Sequence, residues 1–102
     1  MIFGTKLMNY EVIYDEQALG DIKKIPKDLL SSIRKAVETR LSKRPYDFRP
    51  LSGKKYQGLF RLRVGDYRIV YVIDENPGVV KVIAIGVRGK IYQTLDRRVS
   101  TN

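Results

Sequence analysis

The stretch Phe60-Arg61-Leu62-Arg63-Val64-Gly65-Asp66-Tyr67-Arg68-Ile69-Val70-Tyr71 decides how this 102-residue chain reads. Gly65-Asp66 is a two-residue turn signal between runs rich in apolar and β-branched residues, so the segment predicts a β-hairpin. A two-residue turn also sets the register. Val64 falls opposite Tyr67, Arg63 opposite Arg68, Leu62 opposite Ile69, Arg61 opposite Val70 and Phe60 opposite Tyr71. Opposed residues share a face. One face therefore holds Phe60, Leu62, Val64, Tyr67, Ile69 and Tyr71, and is the expected core. The other holds Arg61, Arg63 and Arg68, with Leu59, Val70 and Val72 beyond them.

Three arginines on one face of two adjacent strands repel one another. The hairpin offers them no acid on that face, since Asp66 sits in the turn. A sheet that tolerates this arrangement is suited to holding an anion. Arginine fits phosphate because its planar fork forms paired hydrogen bonds and never loses its proton. The plainer alternative is a solvated outer face, with arginine stems covering Val70 and Val72.

Before the hairpin, residues 9–14 read as a short strand rich in β-branched and aromatic residues. Asp15 is an acceptable N-cap, and Ala18, Leu19, Ile22 and Ile25 follow at helical spacing. Pro26 interrupts and suits the first turn of a second helix, with Asp28 adding favourable charge near its start. Leu29, Leu30, Ile33, Val37 and Leu41 form the apolar stripe of that helix, which is expected to end before Pro45. Residues 45–58, with Pro45, Pro50, Gly53 and Gly58, read as a loop. After the hairpin, Asn76-Pro77-Gly78 marks a turn and Val79–Val87 a further apolar strand. Residues 89–98 are polar and read equally as a short strand, a helical turn or a tail.

The order β-α-α-β-β-β has no βαβ repeat and no Gly-rich phosphate loop, which argues against a doubly wound nucleotide fold. The expected class is α+β, a small antiparallel sheet with two N-terminal helices packed on one face. Arg88 ends the last apolar strand between Gly86 and Gly89. The simplest register does not set it on the arginine face; a bulge at Gly86 or a different loop length would. Tyr92, in the polar stretch, reads by spacing alone as a surface or packing residue.

Composition sets the outer limits. Lys plus Arg number 20 and Asp plus Glu 11, for a net charge of +9, with no Cys and no His. The lack of Cys and His excludes a disulfide-stapled module, a zinc finger and any histidine acid–base mechanism. The longest apolar run is far too short to span a bilayer, and Met1 to Met8 show no signal-peptide pattern. The charge is concentrated. Residues 1–33 carry −1, residues 34–68 carry +8 and residues 69–102 carry +2. A soluble cytoplasmic protein with a polyanionic partner is the expectation.

The hairpin resembles the central hairpin of the RelE/ParE toxin superfamily. Four further pieces fit in order: the helix Asp15-Glu16-Gln17-Ala18-Leu19-Gly20-Asp21-Ile22, the loop Leu51-Ser52-Gly53, the segment Gly86-Val87-Arg88, and Tyr92. Together they cover roughly residues 8–95. The resemblance implies one RelE-like domain over 1–102, with 1–7 and 99–102 as loose tails. It also implies the toxin of a type II toxin–antitoxin pair, a ribosome-dependent endoribonuclease cleaving mRNA in the A site of the small ribosomal subunit. The implied partners are a cognate RelB-like antitoxin, the ribosome and mRNA, with no membrane.

The implied chemistry needs no metal or other cofactor. The RNA 2′-OH attacks the adjacent phosphate and expels the 5′-oxygen. By the same resemblance Arg61 and Arg68 hold and neutralise the phosphate. Arg88 assists the leaving oxygen or stabilises the transition state, and Tyr92 activates the 2′-OH or stacks on a base. Arg63, Lys54, Lys55, Arg40, Lys43 and Arg44 are the expected RNA-binding residues, acting through salt-sensitive phosphate contacts. The chain departs from the family pattern in two places. Leu59 and Arg61 stand where two lysines are common, and the spacing from Arg88 to Tyr92 is short. A ParE-like poison of DNA gyrase and a non-catalytic RNA- or antitoxin-binding module are the competing functions, since one fold serves several.

Overall fold

The computed structural model describes residues 10–99. Asn9 of the expected first strand, the expected tail 1–7 and residues 100–102 lie outside these residues. Strand β1 is Glu11–Tyr14, followed by helices α1 (Glu16–Ile22) and α2 (Lys27–Ala36). Strands β2 (Arg49–Pro50), β3 (Phe60–Val64), β4 (Tyr67–Asp74) and β5 (Val79–Val87) come next, and helix α3 (Ile91–Val99) ends the described chain.

Asp15 caps α1, its side chain accepting from the Gln17 N–H at 3.1 Å. Pro26 is the residue before α2 rather than within its first turn. Past Ala36 the helix widens into a π-helical turn over Val37–Leu41. The Thr39 hydroxyl donates to the Lys35 carbonyl at 2.7 Å. That bond takes the acceptor an α-helical N–H would use, a known way to loosen a turn.

The five strands form one sheet in the order β1-β5-β4-β3-β2. The β3–β4 pairing has the register dictated by the two-residue turn, from Phe60 opposite Tyr71 to Val64 opposite Tyr67. Gly65 supplies the positive φ of 59° that this turn requires. The sheet is not purely antiparallel, because β1 runs parallel to β5. Nor is segment 45–58 only a loop. Within it β2 pairs with β3, setting Arg49 opposite Arg61.

Leu62, Ile69, Tyr71, Val80, Val82 and Ile85 meet Ala18, Ile25, Ile33, Val37 and Leu41 from the N-terminal helical segment, as expected for two helices on one face. Leu41 and Leu62 are fully buried; truncating either to Ala is expected to cost about 2–5 kcal/mol. Tyr71 stacks on Phe60 with ring centroids 5.6 Å apart, and its hydroxyl donates to the Pro45 carbonyl at 2.6 Å. Burial pushes its pKa above the ordinary tyrosine value.

The opposite face is not open, contrary to the two-helix expectation. Ile91 and Leu95 of α3 pack with Leu59, Val70 and Ala84 in a second core. Residues 89–98 are thus mostly helical, and Val99 ends the helix instead of starting a tail.

Strand β5 is irregular in two ways. Between Tyr71 opposite Val82 and Val70 opposite Ala84 it carries one extra residue, Ile83, a β-bulge. In addition, β1 stops at Tyr14 opposite Val82, so β5 has no strand on that side further along. An ion pair takes the strand's place. Asp21 of α1 accepts from the Ile85 N–H at 2.9 Å. Arg98 of α3 donates to the Ile83 carbonyl at 2.9 Å and holds Asp21 through both terminal nitrogens, at 2.9 and 2.8 Å. Carboxylate and guanidinium satisfy the exposed edge as a neighbouring strand would, and they tie helices from both faces to it.

Candidate functional site

Five arginines share the sheet face that α3 covers in part. Arg49 lies opposite Arg61, and Arg63 opposite Arg68. Arg68 in turn lies opposite Gly86. Arg88, two residues beyond Gly86, belongs to the same face, and its N–H donates to the Asp66 carbonyl at 2.8 Å, extending the ladder. The bulge decides this. Without Ile83 as the extra residue, Arg68 would face Ile85 and Arg88 would point toward the core. The expected device is present, three residues earlier than Gly86.

Arg68 is the buried member of the row, only 7% exposed. Its guanidinium donates to the carbonyls of Gly65 and Tyr67, each at 3.0 Å. Burial lowers its pKa from the usual arginine value, and the charges of Arg63, Arg61 and Arg88 push the same way, with Asp66 opposing weakly. Arginine keeps its proton regardless. Among the described residues no carboxylate pairs with Arg49, Arg61, Arg63, Arg68 or Arg88. A row of fixed cations, one of them desolvated, is a standing electrostatic cost that a bound anion removes.

Helix α3 supplies the wall beside this row. Arg61 donates to the Tyr92 hydroxyl at 2.8 Å, so the tyrosine stands beside the arginine row despite its ordinary spacing. Tyr92 also packs against Tyr56, with ring centroids 5.9 Å apart. The Tyr56 hydroxyl donates to Asp96, one turn after Tyr92, and Lys55 pairs with the same carboxylate at 3.2 Å. Tyr56 and then Lys55 hold the Asp96 carboxyl below the usual carboxylate range. The same hydrogen bond raises the Tyr56 pKa. Gly86 lets the helix sit close, because a Cβ there would meet Ile91 Cδ1 at 3.2 Å.

The structure thus brings together Arg61, Arg63, Arg68, Arg88 and Tyr92. It does not bring Arg40, Lys43 and Arg44 to them. These are exposed residues at the end of the α2 segment, which packs on the other face, and Arg44 pairs with Asp47 at 3.5 Å. Lys54 is exposed in a 3₁₀ turn, and its neighbour Lys55 is engaged with Asp96. Sequence reasoning missed Arg49 and Tyr56. Pro50 is a usable signal for the first, since proline within a sheet is confined largely to edges. Nothing in the spacing points to Tyr56.

A small α+β fold with a row of uncompensated arginines beside a tyrosine defines a class of basic proteins with a sheet face suited to an anion. The chain matches the family model described as ParE toxin of type II toxin-antitoxin system, parDE, over residues 12–92. It therefore belongs to that family, within the RelE/ParE toxin superfamily. It is 28% identical over 86 residues to toxin RelG of Mycobacterium tuberculosis, covering 84% of this chain and 99% of the relative. Toxin RelE of the same organism is 29% identical over 84 residues, covering 82% and 87%. Among solved structures, the toxin–antitoxin complex RelBE2 of M. tuberculosis superposes with a TM-score of 0.75 at 28% identity, covering 79% of this chain and 93% of that one. The protein is a toxin of the type II toxin–antitoxin class. No helix among the described residues is long and apolar enough to cross a membrane.

Proposed function

We propose that the protein is a ribosome-dependent endoribonuclease that cleaves mRNA in the ribosomal A site, acts in the cytoplasm, and is held inactive by a cognate RelB-like antitoxin. The observation that carries this reading is the cluster of Arg61, Arg68 and Arg88, without a carboxylate partner among the described residues and joined to Tyr92 through Arg61. In the reaction the ribose 2′-OH gives up its proton as its oxygen bonds to the adjacent phosphorus, the bond to the 5′-oxygen breaks and that oxygen takes up a proton, leaving a 2′,3′-cyclic phosphate that water opens to a 3′-phosphate. Fixed guanidinium groups stabilise the charge that builds on the phosphoryl oxygens. Arg68, immobilised by two carbonyls, is the preorganised part of that field. Tyr92 is the proton-handling or base-stacking group, and Arg88, exposed beyond the bulge, serves the leaving oxygen. No step in this scheme requires a metal.

The test is purified protein with one short mRNA, with or without ribosomes carrying a defined A-site codon, and with a chelator in a parallel tube. Cuts at the A-site codon that need ribosomes, survive the chelator and vanish in Arg88→Ala support the reading. Intact RNA in every tube, from protein that melts normally, sinks it. The matched family model favours one competing reading, a ParE-like poison of DNA gyrase. Accumulated DNA cleavage complexes without translation arrest identify that outcome.

A further inference from the structure

A phosphodiester has two non-bridging oxygens and is saturated by about two guanidinium forks. The row holds five guanidinium groups. With strands about 4.8 Å apart, it extends roughly 14 Å from β2 to β5. Tyr92, Arg61, Arg68 and Arg88 account for one phosphate. Arg49 and Arg63 remain.

Those two residues line a cleft of their own. Strand β2 is two residues long, and the segment before it does not continue the pairing alongside Arg63. A cleft of about 500 Å³ opens there, lined by Asp47, Phe48, Arg49, Pro50, Arg61 and Arg63. Arg49 and Arg63 are exposed and, among the described residues, free of carboxylate partners. The one acid in the lining, Asp47, already pairs with Arg44 at 3.5 Å. Arg61 lies between the two halves, donating to Tyr92 on one side and lining the cleft on the other.

We propose that this cleft is a second phosphate subsite, in which Arg49 and Arg63 hold the phosphodiester next to the one at Arg68. Single-stranded RNA then crosses the sheet from β5 toward β2, and Arg49 is an RNA-binding residue. The inference rests on the reading of the arginine face as an RNA site.

The experiment uses 2′-O-methyl oligonucleotides, which lack the attacking hydroxyl and stay intact: a dinucleotide with one phosphate and a pentanucleotide with four. Affinity is followed by NMR titration over a salt series. For the pentanucleotide, Arg49→Ala is expected to weaken binding about fivefold at low salt and to reduce the slope of log K against log salt by about 0.7. The dinucleotide is expected to be unaffected. Arg49→Lys restores the slope but not the full affinity, because the fork is lost. Asp47→Asn tightens the pentanucleotide by removing the acid from the lining. An unchanged slope in Arg49→Ala overturns the subsite while leaving the RNA reading intact. So does equal weakening of both oligonucleotides, which merges Arg49 with the first site. Absence of binding by the parent protein overturns the subsite and leaves the ribosome-dependent reading to its own cleavage test. Arg49 is exposed on an edge, so equal melting temperatures of parent and variant check the fold.

Discussion

Replacing Asp21 by Ala is expected to be among the most damaging single changes outside the apolar core. Its side chain, 10% exposed, accepts three hydrogen bonds within 2.9 Å, one from Ile85 N–H and two from Arg98. Removing one partner of a buried ion pair costs about 3–5 kcal/mol. The Arg98 side chain is 20% exposed and retains the Ile83 carbonyl, so the lower end applies. A loss near 3 kcal/mol lowers the melting temperature of a domain this size by about 12–24 °C. The double variant Asp21→Leu/Arg98→Met is expected to recover part of it, since apolar pairs often replace buried ion pairs at little cost. Recovery is incomplete, because Ile83 C=O and Ile85 N–H then face no partner on the open edge, at about 1–3 kcal/mol per group. Urea and thermal unfolding of the parent, Asp21→Leu, Arg98→Met and the double variant give the coupling directly. Under the proposed function an Arg88→Ala background is expected to make expression harmless. If Asp21→Ala falls within about 0.5 kcal/mol of its parent, the size of an ordinary surface substitution, the ion pair does not substitute for the missing strand and the reasoning fails.

Gly86→Ala forces a Cβ to within 3.2 Å of Ile91 Cδ1. It is expected to cost about 1–2 kcal/mol and to lower cleavage by shifting α3, and unchanged melting and rate together would refute that tight approach. Tyr56→Phe removes the hydrogen bond to Asp96. Because that bond depresses the Asp96 pKa and raises the Tyr56 pKa, its contribution is present above the unfolded carboxylate value of ~3.9 and below the unfolded phenol value of ~10. The stability difference between parent and Tyr56→Phe should therefore shrink below ~3.9 and again above ~10, and a constant difference across pH contradicts the assignment. Pyrophosphate at ten times its Kd is expected to stabilise the parent by about 1.4 kcal/mol, relative to chloride at equal ionic strength. Undiminished stabilisation of Arg68→Met would place the anion elsewhere.

What was readable in the sequence was whatever local chemistry fixes on its own. The Gly65-Asp66 turn admits one register, so the membership of both hairpin faces came from counting. The stripe of Ile33, Val37 and Leu41 has one buried side. Ile91 and Leu95 have helical spacing too, but they are only two buried residues among polar neighbours, too few to prefer a helix over a tail. The face taken by Arg88 was not readable, because one extra residue inverts every side chain beyond it and nothing in Val82-Ile83-Ala84 announces the bulge. Arg49 stayed hidden because a two-residue strand has no periodicity.

The bulge and the ion pair belong to one device. A bulge interrupts the regular ladder to β4 at Ile83, and the same stretch of β5 has lost β1 on its other side. Left alone, residues 83–85 would have weakened pairing on one side and none on the other, and would be the least restrained part of the sheet. They are instead pinned at Ile83 C=O and Ile85 N–H by Arg98 and Asp21. The chain beyond that point carries Gly86, against which α3 rests, and Arg88. The helix that supplies Arg98 also supplies Tyr92. The same contact that closes the open edge therefore sets Arg88 and Tyr92, the two parts of the arginine face that follow the hairpin in the chain. Among the hairpin arginines, Arg63 and Arg68 are set by the hairpin register and Arg68 by its own turn carbonyls, while Arg61 also reaches Tyr92. Arg98→Ala should accordingly lower kcat through Arg88 and Tyr92 while leaving phosphate binding at Arg68 nearly intact. A lost rate with unchanged pyrophosphate affinity supports that division, and equal loss of both refutes it.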